Sequence, residues 1–422
     1  MLLTLASPYR ENAVLAIART AAANAVLRNF YTTLNLSHWQ SIAQRVPLVG
    51  SRLATELGRR IFTGIPIERV ASVATGSELA HVATRRLIGQ RHPAVAAALM
   101  YRVKARFDAR VAARLIRERP DAFVGMFGAS QECFRSVRRY GGLAVLNFVN
   151  SHPTEHNRYL LELAGAPQRH HELIPAWVAK RVEDELALAD LVLVPSRFVA
   201  KQLVAHGTPM EKIAMLPYGV SLDAFFPAPA RAGAPQMLTC LYVGQISHRK
   251  GIGFLLEAAR RCADLALRFR LIGPAVSPEL LRDLPPNVVY EGASLPGGVP
   301  EAMRQADLFV LPTVEDSFAL VVFEAMATAL PVVTTTHAGS SELIENGRDG
   351  LVVPPGDVFA LTAAIRKLAA QPDLRNALGT AARQKVQDAH SWESYGESVL
   401  TVIRGRLDAR ADRSGSPRLD AA

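Results

Sequence analysis

Cysteine is scarce. Cys133, Cys240 and Cys262 stand far apart and outside any C-x-x-C. That excludes a disulfide-built scaffold and a cysteine metal site, and it fits a chain kept in a reducing cytosol. No apolar run reaches the length of a membrane-crossing helix. The most apolar N-terminal piece, 13–27, contains Arg19 and Asn24, follows no Lys/Arg-rich segment and precedes no small-residue cleavage site, so no secretory leader is expected. Aromatic residues make up only 7% and no nucleic-acid recognition motif occurs, so a nucleic-acid partner is not expected. D-x-D is absent throughout. The usual acidic arrangement for holding a metal on a diphosphate is therefore missing, and no metal and no resident cofactor are expected. Neither G-x-G-x-x-G nor G-x-x-x-x-G-K-[ST] is found, so neither a dinucleotide fingerprint nor a Walker loop is supported.

What is present is a strongly basic first half. Residues 1–220 carry 28 Lys and Arg against 16 Asp and Glu, whereas 221–422 carry 20 against 22. The first half should therefore face an anionic partner, such as a membrane surface or a charged acceptor. Within it, Arg102, Arg106, Arg110 and Arg114 recur every four residues beside Val103, Phe107, Val111 and Leu115. Such twin stripes can lie on an anionic bilayer, and they equally describe a surface helix with its apolar face in the core.

At 422 residues the chain can hold two or three full-sized cores. Strands are expected at 2–6, 71–75, 122–127, 143–149, 191–195 and 212–217, with helix-favouring sequence at 13–30, 102–119 and 197–206. Segment 228–235, made of Pro, Ala, Gly and one Arg, reads as a linker. A second alternation follows, with strands at 238–243, 267–272, 288–290, 308–311, 331–335 and 351–353. Helices are expected at 252–262, 278–284, 300–305, 358–370, 372–386 and 392–406. Two successive α/β domains with parallel sheets follow from this alternation: 1–227 and 236–390, then a helix over 391–407 and a disordered tail at 408–422.

Two loops carry candidate chemistry. Gly244 to Gly251 follows a strand and precedes a helix, with Arg249 and Lys250 at the helix start. Two cations beside N–H donors suit a diphosphate, though a basic pair there is also ordinary surface decoration. The second stretch follows the strand at 308–311. Asp316 and Ser317 sit where a helix N-cap belongs, N–H groups follow, and Glu324 lies two turns on along the same face. The series acid, N–H groups, acid matches the series sugar hydroxyls, diphosphate, ribose hydroxyls of a nucleotide-sugar. A cap and a solvated charge would give the same pair of acids. In an open α/β sheet both loops would line one crevice. His152, just past a strand end at 143–149, is a further candidate for the sugar site, or a loop histidine with no role.

Taken together, these segments resemble the retaining group 1 glycosyltransferases (family four) of GT-B type. The likeness is carried by Val243-Gly244 with Arg249-Lys250-Gly251, by Ala306 to Pro312, by Asp316 with Glu324-Ala325-Met326-Ala327, by Leu330-Pro331-Val332-Val333 and by Gly350 to Pro354 with Gly356-Asp357. Further upstream it is carried by Ala189-Asp190, Val194-Pro195-Ser196 and Leu216 to Val220. It covers 186–390 well and 1–150 poorly. The resemblance implies two Rossmann-like domains facing a cleft, with the C-terminal helix crossing back to the first. It implies transfer from a nucleotide-diphosphate sugar to a saccharide or lipid-linked acceptor in cell-surface polysaccharide or glycolipid biosynthesis, in the cytoplasm or on the inner membrane face. Arg249 and Lys250 would neutralise the leaving diphosphate and Asp316 would bind the donor sugar. Gly244 and the N–H groups of Phe318, Ala319 and Leu320 would hold phosphate, Glu324 would bind ribose, and His152 would line the acceptor side. The chain departs from the pattern in having Asp316 for Glu, Ser317 and Ala319 for glycines, Gln245 for Arg, and Pro8 to Asn12 for a glycine-rich loop. A non-catalytic partner of a glycosylation complex, or a nucleotide-sugar epimerase or phosphorylase, would use the same cleft.

Overall fold

A computed structural model describes residues 1–37, 61–87, 93–165, 171–229, 236–293, 298–389 and 391–414. The first sheet contains β1 (Leu3–Ala6), β2 (Leu27–Thr32), β3 (Val70–Ser72), β4 (Ala122–Met126), β5 (Leu143–Asn147), β6 (Leu191–Val194) and β7 (Ile213–Met215). Its helices are α1 (Asn12–Ala23), α2 (Thr75–Leu87), α3 (Pro93–Glu118), α4 (Gln131–Arg139), α5 (Pro153–Glu162), α6 (Ala176–Leu188) and α7 (Arg197–Ala205). The second sheet contains β8 (Leu238–Val243), β9 (Leu267–Ile272), β10 (Val288–Tyr290), β11 (Leu308–Leu311), β12 (Val332–Thr335) and β13 (Leu351–Val353). With it go α8 (Ile252–Arg261), α9 (Gly298–Arg304), α10 (Leu320–Ala327), α11 (Val358–Ala370), α12 (Pro372–Ala389) and α13 (Trp392–Ser414).

The strand orders are β3-β2-β1-β4-β5-β6-β7 and β10-β9-β8-β11-β12-β13, and every ladder is parallel. Parallel strands covered by helices on both faces read as unbroken apolar runs, and β4, β5, β6, β11 and β12 are buried throughout. In each sheet the order reverses between its first strand and the neighbour joined by a long excursion, β1 with β4 and β8 with β11. The loops leaving those strands diverge and open a crevice at their carboxyl ends. Four loops therefore face the cleft: those after β1, β4, β8 and β11.

α13 crosses back onto the first domain. Gly396 lets it lie against α1, since a Cβ there would stand 2.0 Å from Thr20 Oγ1 and 3.1 Å from the Ala16 carbonyl. Asn24 donates to Glu397 at 3.0 Å, and Arg410 pairs with Asp190 at 2.6 Å.

Several expectations need correction. The helix expected over 13–30 stops at Ala23, because Ala25 turns into the left-handed region (φ 55) and Phe30 and Tyr31, good strand formers, enter β2. The tail is helical to Ser414 rather than disordered from 408, and 415–422 lie outside the described residues. Most of the expected linker, 230–235, lies outside them too. The twin stripes on α3 resolve into core and water. Phe107, Val111 and Leu115 are buried among the first domain's apolar side chains and Val103 is buried too, whereas Arg102, Arg106, Arg110 and Arg114 are exposed. Among the described residues no helix is long and apolar enough to cross a membrane.

Candidate active site

The four loops enclose a cavity of about 770 Å³ between the domains. Gly244, Arg249, Lys250, Asp316, Phe318, Ala319, Leu320 and Glu324 all line it. The two stretches singled out from sequence therefore meet, although Lys250 and Asp316 are 66 positions apart in the chain. Gly251 makes the meeting possible. It takes φ +72, and a Cβ there would stand 1.8 Å from the Pro312 carbonyl, so only glycine lets the loop after β8 press onto the loop after β11.

The acids and cations interlock. Lys250 Nζ pairs with Asp316 Oδ2. Asp316 Oδ1 accepts from Phe318 N–H at 3.3 Å and Ala319 N–H at 2.9 Å. Burial pushes the Asp316 carboxyl up, but Lys250 and Arg249 outweigh it and hold the group below its ordinary range. Here the structure corrects the helix start. The turn capped by Asp316 precedes the helix, and α10 opens at Leu320 with Ala319 as its left-handed N-cap (φ 63). The N–H groups of Phe318 and Ala319 are thus spent on Asp316. The helix start that remains for an anion is the first turn at Leu320 and Val321, both on the cavity wall.

Glu315, one residue early for the acid spacing, proves to be a buried cross-domain anchor. Ser151 Oγ donates to its Oε1 at 2.5 Å, and His156 Nδ1 lies 2.8 Å from its Oε2. Burial works against its charge, yet His156, Arg249 and Ser151 bring its pKa down to about 2. His156 Nε2 lies 3.0 Å from the Glu172 carbonyl. Both ring nitrogens thus face oxygen atoms, which fixes the ring between the two domains. Glu172, also from the first domain, accepts from the N–H groups of His248 at 3.0 Å and Arg249 at 3.1 Å and from Ser277 Oγ at 2.8 Å. The loop after β8 is therefore held by a carboxylate from across the cleft.

His152 is the clearest misplacement. It does not line the cavity. Its ring stacks on His206 with centroids 3.9 Å apart, and its Nδ1 accepts from Thr154 N–H at 3.3 Å, capping α5. Burial, then His206, lower its pKa to about 4. The histidine that reaches the site is His156, one helical turn later. A sequence signal for it existed, since i and i+4 share a helix face, but nothing local pointed to Glu315 as its partner. Glu324 is placed as expected. Its carboxylate makes no hydrogen bond or ion pair to a described residue, and burial raises its pKa to about 7. Among the described residues no group of three or more His, Cys, Asp or Glu is arranged to hold a metal.

Residues 238–371 match the family model "Glycosyl transferases group 1". Among curated proteins, the chain is 29% identical over 231 residues to a Salmonella typhimurium protein provisionally named colanic acid biosynthesis glycosyltransferase WcaL (51% of this chain, 56% of that protein). It is 30% identical over 246 residues to the GDP-mannose-dependent alpha-(1-6)-phosphatidylinositol monomannoside mannosyltransferase of Mycolicibacterium smegmatis (53% and 64%). The chain thus spans a little over half the length of the curated relatives it matches. Among solved structures, Anabaena HepE in complex with UDP and glucose superposes with a TM-score of 0.64 at 15% identity, covering 96% of this chain and 99% of that one. That likeness speaks to the fold. The second domain is thus similar to the group 1 glycosyltransferases over 238–371, and both domains share the two-domain GT-B fold of solved glycosyltransferases.

Proposed function

We propose that the chain moves a glycosyl group from a nucleoside diphosphate sugar to an acceptor hydroxyl, with retention at the anomeric carbon and without a metal. One observation carries this reading: Arg249, Lys250, Asp316, the open first turn of α10 and Glu324 border a single cavity between two Rossmann-like domains. The distal phosphate lies at Leu320 and Val321, the ribose hydroxyls at Glu324, and the donor sugar toward Asp316. As the anomeric C–O bond to phosphate breaks, Arg249 and Lys250 meet the charge developing on the diphosphate. The acceptor oxygen bonds to the same face of the anomeric carbon, and its proton passes to the departing phosphate oxygen. The names of relatives support a nucleotide-linked donor: the mycobacterial protein is called GDP-mannose-dependent, and HepE was crystallised with UDP and glucose. Colanic acid and phosphatidylinositol mannoside in those names favour a cell-surface polysaccharide or glycolipid product.

The test is a melting-temperature screen against UDP-, GDP- and ADP-sugars, followed by transfer assays with and without EDTA and NMR assignment of the product anomer. Lys250→Ala should lower turnover by about 10²–10³-fold. Near-wild-type transfer would remove Lys250 from the mechanism, and an inverted product would remove retention. Product formed without an acceptor would favour an epimerase. Binding without transfer would favour a non-catalytic partner.

The exposed Arg102, Arg106 and Arg110 and the basic first half favour a second element, association with the anionic inner face of a membrane on the cytoplasmic side. Failure to bind phosphatidylglycerol vesicles at low salt would remove it.

A further inference from the structure

The cavity has a second cationic centre, on the wall belonging to the first domain. Lys104, on α3, lines it together with Tyr101 and Phe127. Its ammonium lies 5.5 Å from the Tyr101 ring centroid and 5.8 Å from that of Phe127. It makes no hydrogen bond or ion pair to any described residue. The other two cations of the lining are matched, Arg249 against Glu315 and Lys250 against Asp316.

The carboxylates whose charge Lys104 feels are Glu185 and Glu11. Glu185 is spent elsewhere: its Oε2 accepts from Gly128 N–H at 2.6 Å, its Oε1 from Ser130 N–H at 2.8 Å, and Arg181 Nε stands 3.5 Å away. Glu11 is exposed and makes no ion pair with Lys104 among the described residues. Two ring faces return only part of what an ammonium loses on leaving water. Burial accordingly pulls the pKa of Lys104 down, against both acids. Evolutionarily cheap replacements such as Met or Leu would fit an apolar wall better, so an oxyanion is the partner that explains a lysine here.

We propose that Lys104 binds an oxyanion, a phosphoryl or carboxylate group, carried by the acceptor. This rests on the glycosyl-transfer reading and deepens it, since it names the acceptor's chemical class. The position separates it from the donor: Arg249, Lys250 and α10 come from the second domain, Lys104 from the first. Met100, Tyr101 and Phe127 beside it offer apolar surface for the body of the acceptor, and Trp177, half exposed, packs edge-on against Tyr101 at 5.5 Å. A phosphoryl group could come from a soluble saccharide phosphate or from a lipid headgroup, and the chemistry at Lys104 is the same.

The experiment uses the full chain saturated with UDP, GDP or ADP, whichever gives the largest melting shift. Glycerol 3-phosphate, glucuronate and uncharged glucose are titrated in, and vesicles of phosphatidylglycerol are compared with vesicles of phosphatidylcholine. Wild type should bind at least one anionic probe in the presence of nucleotide and bind glucose at least tenfold more weakly. Lys104→Ala and Lys104→Gln should weaken the anionic probe about tenfold or more, with nucleotide affinity within twofold of wild type, and Lys104→Arg should restore most of it. Loss confined to the vesicle arm assigns a lipid headgroup, and loss confined to the soluble arm a free saccharide anion. Equal anion binding by wild type and Lys104→Gln overturns the proposal. So does competition by nucleotide, which would place the anion at Arg249 and Lys250. If no nucleotide binds wild type, the glycosyl-transfer reading fails instead, and that control reads it separately.

Discussion

The Lys250 ammonium is ion-paired with the Asp316 carboxylate, tying the loop after β8 to the loop after β11 at the floor of the cleft. The pair sets the resting charge of the diphosphate site, because an arriving diphosphate must share Lys250 with Asp316. Asp316→Asn keeps the turn, since the amide oxygen accepts the same N–H groups of Phe318 and Ala319, but it releases the lysine. Nucleoside diphosphate should bind more tightly, by roughly tenfold for about 1.4 kcal/mol of removed repulsion. Transfer should slow by about 10²-fold through loss of the contact to the donor sugar. Calorimetry with UDP or GDP and an initial-rate assay check the two, and parallel loss of both would show that Asp316 only holds the loop.

The cross-domain anchor predicts a stability effect. His156→Ala leaves the Glu315 carboxylate buried with Ser151 and Arg249 alone. It should cost about 2–3 kcal/mol in urea denaturation, the range for an unmet buried charged group. The Glu315 contribution itself is present above its ordinary pKa of 4.5 and lost only as pH falls toward about 2. The difference between wild type and variant should therefore stay flat from pH 5 to 8 if Glu315 governs it.

Glu324 predicts the opposite sign. Its pKa is raised by burial from 4.5 to about 7. The stability it allows is full below about pH 4.5 and is lost as pH rises through 7. Glu324→Gln should remove that loss and gain about 2 kcal/mol on wild type between pH 5 and 8. Ribose hydroxyls donating to the carboxylate would pull the pKa back down. Nucleotide binding near pH 7 should therefore release protons in wild type and not in Glu324→Gln, read by calorimetry in buffers of differing ionisation enthalpy.

His152→Ala should leave transfer within about threefold of wild type while lowering stability by about 1 kcal/mol, the usual cost of a lost N-cap. A fall in turnover by orders of magnitude without unfolding would return His152 to the acceptor side.

Ala319 holds a left-handed conformation that a Cβ disfavours by about 1 kcal/mol or more. Ala319→Gly should raise the melting temperature by a few degrees or leave it unchanged, and a marked loss would show that the methyl group packs usefully against the loop.

Much of this molecule is legible residue by residue. Apolar runs such as Leu308–Leu311 and Val332–Thr335 can only be buried parallel strands once helices alternate with them. The polar residues that follow such strands must then crowd the carboxyl edge, which is why Arg249, Lys250, Asp316 and Glu324 can be placed at one crevice from their positions in the chain. Local order also misled. A cap-like Asp316 and Ser317 suggested that the helix began there, whereas the left-handed Ala319 inserts a turn first. Lys104 was hidden inside a helix whose Arg stripe drew attention to its outer face.

By itself the sequence determined the two sheets, the loops that face the cleft and the residue types those loops carry, because strand burial and helix periodicity are short-range properties of the chain. The tertiary structure alone decided which charges meet. Glu315 finds Ser151 and His156 from 164 and 159 residues away, His152 is turned aside onto His206, and Lys104 makes no ion pair among the described residues. Such pairings depend on how elements distant in the chain pack together, within and between the two domains, and no spacing along the chain records that.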